Sequence, residues 1–366
     1  MAKPRSLNTL ASILLAITVS LSLISSAGAN NQGQSEPPEG STPQIEVVSE
    51  YFSIQQLSVA DGTQLLGYFI SGPSQPPFEH QLEHDASTID EAPQGTLVNF
   101  PSYSWVFGCS AVSAAMIAAW YDRGSFPNMY AGPTDGGLMP ITDTCWPSWS
   151  QGSYIYPSNP LVASRNGVDG QCTKGSVEDY WTSYGSSSQD PYIVGGWTQH
   201  AWGNAIGDFM KTSQLSYQNK DGSTLFYNYS NTPEKLLCST MLSAGVADQD
   251  GTYGRKLFYE ARGYIVTDCY NQRTDNNSGG FTLANFKAEI DAGHPVLINL
   301  AGHSIVGYGY NGSTVYIRDT WDSNPAHVYS MPWGGTYQDM GMVSVSVVHP
   351  TLCQRNNKQY LPLLFN

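Results

Sequence analysis

Three residues of this 366-residue chain have the types and the order that thiol chemistry needs. Cys109 sits in Phe107-Gly108-Cys109-Ser110, directly ahead of an Ala-rich segment, Ala111 to Trp120, that reads as a helix. A cysteine at a helix N-terminus lies where backbone N–H groups and the helix dipole favour the thiolate. Far downstream, His303 opens a strand-like run and Asp319 follows across a hairpin signal. In that order the three supply a nucleophile, a base and a group to orient the base. A free thiol with a pKa of about 8.5 is only a few per cent thiolate at neutral pH, and a helix N-terminus plus an imidazolium lowers that pKa to roughly 3–4.

The hairpin sets a geometric condition on this reading. With a two-residue Asn311-Gly312 loop, His303 faces Thr320 and Asp319 points to the other side of the sheet. A three-residue loop, Asn311-Gly312-Ser313, pairs Ile305 with Asp319 and His303 with Trp321, so that His303 and Asp319 share a face. The three-residue loop or an equivalent bulge is therefore expected. Trp321 then stands where an indole shields the His–Asp contact from water. Asp322 and Asn299 are the alternative orienting residues, and His200 is the rival base. His80, His84, His294, His327 and His349 have no supporting context. An oxyanion hole needs at least two donors. The Cys109 N–H is one, and Tyr103 O–H, Ser104 or the Trp105 N–H are candidates for the second.

The elements that must position these groups read as helices first and antiparallel strands afterwards, which indicates an α+β fold. Asp122-Arg123-Gly124 stops the Cys109 helix. Ser176 to Tyr184 and Thr198 to Thr212 are helical candidates. Asn231-Thr232-Pro233-Glu234 starts a third, with Pro233 at its first position. Tyr253 to Arg262 is a fourth, ahead of a Tyr264–Val266 strand. Leu283, Phe286 and Ile290 repeat at helical spacing between a Thr282 cap and a Gly293 stop. Strands follow at 295–300, 303–310, 315–319 and 342–348. Upstream, Ile45 to Ile70 holds two or three strand-like runs. That stretch is a small pro-region, a strand added to the main sheet, or a spacer.

Residues 1–29 have the pattern of an export signal: Lys3 and Arg5, an apolar Leu10 to Ile24, then Ala27-Gly28-Ala29. The alternative is an uncleaved anchor. Cleavage would leave Asn30 as the N-terminus and an exported, extracytoplasmic protein with no membrane insertion. Losing Lys3 and Arg5 makes the net charge of −14 two units more negative. Such a surface does not favour nucleic acid or anionic lipid. Residues 30–95 form a linker and short strand region, 96–350 the main domain, and 351–366 a C-terminal tail. Of six cysteines, Cys145 with Cys172 and Cys238 with Cys269 are the pairs favoured by proximity, leaving Cys353 free. Three disulfides that include Cys109 are the alternative, and would end the thiol reading. No metal site is expected, because no Cys-x-x-Cys and no ligand-spaced His pair occurs, and no cofactor is invoked.

Gly108-Cys109-Ser110 with its Ala/Met-rich helix, Gly293 to Ile298, and Gly302 to Tyr308 resemble papain-like cysteine peptidases. The nearest likeness is to the bacterial double-glycine leader peptidase-like group, in a stand-alone exported form. Asp319-Thr320-Trp321 resembles the Asn/Asp-x-Trp that closes papain-like sites, and 195–210 also looks like that group. The resemblance spans roughly residues 96 to 348. It implies a helix carrying the cysteine packed on an antiparallel sheet carrying the histidine and aspartate. It further implies Cys109 as nucleophile, His303 as base and acid, Asp319 as orienting residue, and a peptide or protein substrate. One departure is the oxyanion Gln of many papain-like enzymes, which has no counterpart between Leu97 and Cys109. The expected activity is hydrolysis of peptide amide bonds. A catalytically inactive binding or surface protein, and a cysteine acyltransferase or wall amidase, are the alternatives.

Overall fold

The computed structural model describes residues 44–77, 95–130, 134–146, 148–151, 154–157, 159–162, 205–214, 217–219, 222–274 and 278–352. The signal segment, the linker before residue 44, the 176–184 helix, His80, His84, His200, Cys172 and Cys353 lie outside these residues. Strands β1 (Gln44–Ser49), β2 (Phe52–Ser58) and β3 (Gln64–Ile70) form an antiparallel meander. Then come β4 (Gly95–Thr96), helix α1 (Cys109–Arg123), and the hairpin β5 (Ser148–Gln151) with β6 (Tyr154–Pro157). The one-turn α2 (Ile206–Phe209) precedes β7 (Thr224–Tyr229), β8 (Leu236–Leu237), α3 (Cys238–Ser243) and α4 (Gly251–Ala261). Next are β9 (Ile265–Arg273), α5 (Leu283–Asp291), β10 (Val296–Leu300), β11 (His303–Asn311) and β12 (Thr314–Arg318). The last strands are β13 (Tyr329–Pro332), β14 (Thr336–Tyr337) and β15 (Met340–Thr351). This is the mixture of helix and antiparallel sheet expected of an α+β chain.

The larger sheet runs β13-β12-β11-β10-β15-β9-β8, with β4 paired to β11 and β14 to β15. Its centre is apolar on both faces: Val296, Leu297, Ile298, Ile305 and Val306 are all buried. Helix α1 lies on it. The helix is apolar nearly all round, so it sits in the interior, and only Trp120 and Arg123 escape full burial. The meander is not part of this sheet. It builds a second, four-stranded sheet, β1-β2-β3-β7, in which β3 pairs with β7 from Leu65↔Tyr229 to Ile70↔Thr224.

Local signals set several boundaries. Thr282 and Asn285 form a capping box at α5, each side chain accepting from the other's backbone N–H. Asp250 caps α4, accepting from the N–H of Thr252 at 2.8 Å and of Tyr253 at 3.1 Å. The helix expected from Asn231 starts instead at Cys238. Residues before it make an ST turn, Glu234 N–H to Thr232 Oγ1, and Leu236–Leu237 are drawn off to pair with Asn271 and Tyr270 of β9. From the 198–212 candidate only Ile206–Phe209 is helical among the described residues. The strand expected at 264–266 extends to Arg273, because nearly its whole length pairs with β15.

The β11–β12 turn has two residues, Gly312 and Ser313, with Asn311 opposite Thr314. Between Gly307 and Gly309 the register slips by one, so that Gly309 faces Tyr316 while Gly307 faces Ile317 and Val306 faces Arg318. The loop is thus shorter than the three residues expected, and a bulge at Tyr308 supplies the missing step. The strands leave the bulge in the register that the longer loop would have produced.

Cys238 and Cys269 are joined, tying α3 to β9. Cys109 is a free thiol, which removes the arrangement of three disulfides that includes it. Cys145 is also free and exposed; Cys172, the partner expected for it, lies outside the described residues. The Cys145 thiol points back into its own 3-10 turn, toward the Thr142 carbonyl. Among the described residues no helix is long and apolar enough to cross a membrane.

Candidate active site around Cys109 and His303

Cys109 is the first residue of α1, after a turn at Phe107-Gly108 in which both φ are positive, 42° and 139°. A Cβ on Gly108 would lie 2.4 Å from Thr212 Cγ2 and 2.6 Å from the Gly222 carbonyl oxygen. Only glycine lets the chain pass there and turn the cysteine inward. His303 is the first residue of β11, and Asp319 follows the last residue of β12. All three are buried.

The thiol and the imidazole are neighbours. A Cβ built on Gly72 would stand 2.6 Å from Cys109 Sγ and equally 2.6 Å from His303 Nδ1. On the far side of the ring, His303 Nε2 lies 2.7 Å from the main-chain carbonyl oxygen of Asp319. A carbonyl only accepts, so in the neutral ring Nε2 carries the proton and Nδ1 presents its lone pair toward the sulfur side. The orienting contact therefore comes from the backbone of Asp319. Its carboxylate is engaged elsewhere: Oδ1 accepts the Trp321 N–H at 3.0 Å and Oδ2 accepts the Tyr337 hydroxyl at 2.8 Å. Thr320, at φ 68°, is the left-handed residue that lets the chain turn this way. Trp321 lies flat on His303, with ring centroids 4.3 Å apart at 13°. The indole covers one face of the imidazole.

A polar seam missed in the sequence fastens α1 to the sheet. Ser110 Oγ is 2.8 Å from Ser304 Oγ, and Ser113 Oγ donates to the Ser304 carbonyl. Ser304 Oγ then donates to Asn299 Oδ1, and Asn299 Nδ2 to Ser344 Oγ. Asn299 is thus a seam residue and does not orient His303. Small hydroxyl residues alternating with apolar ones on a central strand were the only available signal. The Ser304 N–H also donates to Cys109 Sγ at 3.2 Å. That bond and those from Ser110 favour the thiolate, but burial outweighs them and pushes the Cys109 pKa up to about 11. The thiol is protonated in this arrangement, in contrast to the lowered pKa of an exposed ion pair.

The remaining candidates make contacts of their own. Asp322 Oδ2 holds the Tyr329 hydroxyl and His327 Nδ1, each at 2.5 Å. Tyr103 donates its only hydroxyl proton to the Pro140 carbonyl, and the Ser104 N–H donates to Asp143 Oδ2 at 2.6 Å. The Tyr103 hydroxyl and the Ser104 N–H are thus committed to these acceptors. Trp105 packs on Phe107 and Tyr156. Of the residues that reading the sequence did not single out, Gly72, Ser304 and Tyr337 touch the pair or its supports.

Asp143 gives this region a pH dependence. Burial raises its pKa to about 7, against hydrogen bonds that lower it, and burial likewise raises Asp250 to about 6. Both lie above the unfolded value of 3.8. The folded state then binds protons that the unfolded state releases, so stability is greatest at low pH and declines as pH rises through these values. The melting temperature is expected to climb as pH falls from about 8 to about 5, and Asp143→Asn to flatten the climb. Thermal scans across that range test this; a melting temperature that falls on acidification would contradict it.

Comparison with known proteins bears on one part of this geometry. The model of the Peptidase_C39 like family matches residues 226–344. The matched segment carries His303 and Asp319 and leaves out Cys109. It supports a papain-like cysteine peptidase family. No curated protein and no solved structure matches the chain.

Proposed function

We propose that this chain is an exported cysteine hydrolase that cleaves peptide or protein amide bonds, with Cys109 as nucleophile and His303 as base and acid. The observation that carries this reading is the pairing of Nε2 with the Asp319 carbonyl, which leaves Nδ1 facing the sulfur side. In the working cycle the Cys109 proton passes to His303 Nδ1 and the sulfur attacks the substrate carbonyl. The Cys109 N–H, at the start of α1, is one donor to the developing oxyanion. His303 returns the proton to the leaving amine, and a thioester to Cys109 remains. Water, deprotonated by His303, then releases the acid and regenerates the thiol. The Cys238–Cys269 disulfide supports an oxidising, extracytoplasmic location, as does the signal pattern of residues 1–29.

One observation favours a second reading. Cys109 is wholly buried beneath Gly72, as a catalytically inactive binding protein would tolerate. Incubation with a mixed peptide library, read by mass spectrometry, separates the two. Hydrolysis by the native chain or an opened variant, lost in Cys109→Ser, is the expected result. Absence of any Cys109-dependent cleavage in a variant whose thiol reacts freely would favour the binding protein. Transfer of the acyl group to an added amine, in place of water, would redirect the assignment to an acyltransferase.

A further inference from the structure

The chain itself lies across the candidate site. Strand β3 ends at Ile70, and the next three residues, Ser71-Gly72-Pro73, cross directly over the thiol and the imidazole. Gly72 is buried at φ 68°, with no space for a side chain between it and Cys109 Sγ or His303 Nδ1. The crossing is held at both ends. The Ser71 N–H donates to the Tyr51 carbonyl at 3.2 Å, and the Pro73 carbonyl accepts the Trp321 indole N–H at 2.9 Å. The β1–β2 turn reinforces it: a Cβ on Gly302, next to His303, would stand 3.3 Å from the Tyr51 side chain.

Two clefts flank the crossing. One, of about 430 Å³, is lined by Tyr51, Phe69 and Ser71; the other, of about 590 Å³, by Tyr51, Pro73 and Met340. A substrate carbonyl carbon must approach the sulfur to within roughly 3–3.5 Å to react. Gly72 fills that volume, so no substrate reaches the thiol while it is there. The clefts open on either side of the crossing, one toward Phe69 and the other toward Met340.

We propose that Ser71–Pro73 is a built-in strap that occupies the substrate path and keeps the Cys109–His303 pair latent until it is displaced. The proposal rests on the hydrolase reading for its consequence, and on the geometry around Gly72 for its substance. The strap is attached to a sheet of its own, β1-β2-β3-β7, so it can lift without unfolding the larger sheet that carries His303. Three residues anchored through Tyr51 and Trp321 form a short, local contact of the kind that opens well below the global unfolding free energy.

Cys145, exposed in the same molecule, is an internal standard for reagent access. The full chain is treated with iodoacetamide, and the labelling rates of Cys109 and Cys145 are read by mass spectrometry. In the native protein Cys145 is expected to label at least about a hundredfold faster than Cys109. Gly72→Ala, which forces a Cβ against both Sγ and Nδ1, is expected to raise the Cys109 rate by about tenfold or more with the Cys145 rate unchanged. Trp321→Phe keeps a ring on His303 but removes the donor to Pro73, and is expected to raise it by roughly fivefold. Thermal melting establishes that each variant is folded, and if Gly72→Ala is not, Trp321→Phe decides alone. A native Cys109 that labels as fast as Cys145, or remains equally slow in the folded variants, would overturn the strap. Fast labelling in the variants without peptide cleavage would uphold the strap and remove the hydrolase. Peptide cleavage by the native chain at the variant's rate would do the reverse.

Discussion

His303→Ala is expected to lower Cys109-dependent peptide hydrolysis by about three orders of magnitude or more, while Asp319→Asn lowers it by less than about tenfold. The contrast follows from which atom of Asp319 meets the imidazole. In a triad oriented by a carboxylate, an amide in its place presents a donor to the ring and selects the wrong tautomer. Here the main-chain carbonyl of residue 319 accepts the Nε2 proton, and no side-chain substitution removes a main-chain carbonyl. The tautomer in which Nδ1 can take the thiol proton survives Asp319→Asn. The amide oxygen can still accept from the Trp321 N–H, but the other position now offers a donor to the Tyr337 hydroxyl, which must turn to accept it. Asp319→Ala differs: it strips both partners and frees Trp321 from its place over His303. It is expected to cost about ten- to a hundredfold, through lost positioning and shielding. The measurement is kcat/KM on a peptide substrate in the Gly72→Ala background, with melting to check folding. A loss in Asp319→Asn as large as in His303→Ala would mean that the carboxylate orients the ring during turnover.

The parts of this site that were legible in the sequence are those encoded locally. Gly108-Cys109 ahead of an apolar helix is a short-range pattern, and the structure starts α1 at Cys109. Period-two alternation likewise shows that His303 and Trp321 belong on one face, and their rings stack. Turn length was less legible, because two devices yield one register: a longer loop, or a two-residue turn with a bulge at Tyr308. A bulge depends on neighbours across the strand, here the pairing of Gly309 with both Tyr316 and Thr96, and leaves no short-range mark. The strap was not legible at all. Ser71–Pro73 reads as an ordinary Gly-Pro loop. It reaches Cys109 only because β3 pairs with β7, more than a hundred residues on, and Trp321 receives Pro73 from further still. Burial, too, is non-local. A helix N-terminus lowers a cysteine pKa when water or an imidazolium completes the environment, whereas burial reverses the sign.

Asp250→Ala is expected to destabilise the folded chain by about 3–5 kcal/mol, since a lost cap costs about 1 and each buried donor left without an acceptor costs 1–3. Asp250 is wholly buried and its two oxygens receive four donors. Oδ1 takes the N–H groups of Thr252 and Tyr253 at the start of α4. Oδ2 takes the Tyr227 N–H of β7 at 2.7 Å and Asn271 Nδ2 of β9 at 2.8 Å. One carboxylate thus joins a helix, the strand that holds β3, and the larger sheet. Alanine leaves the Thr252 N–H, the Tyr227 N–H and Asn271 Nδ2 buried without this acceptor, and the Tyr253 N–H partly buried. Asp250→Asn keeps an oxygen for α4 but turns an NH2 toward two donors, so it is expected to recover only part of the loss. Urea unfolding of the three proteins measures the series, and a loss under about 1 kcal/mol in Asp250→Ala would show that water or a rearranged Asn271 replaces the carboxylate. The effect reaches the candidate site through β7. Loosening β7 loosens β3, and β3 carries the strap, so Cys109 in folded Asp250→Ala is expected to alkylate faster than in the native chain under conditions where Cys145 does not change.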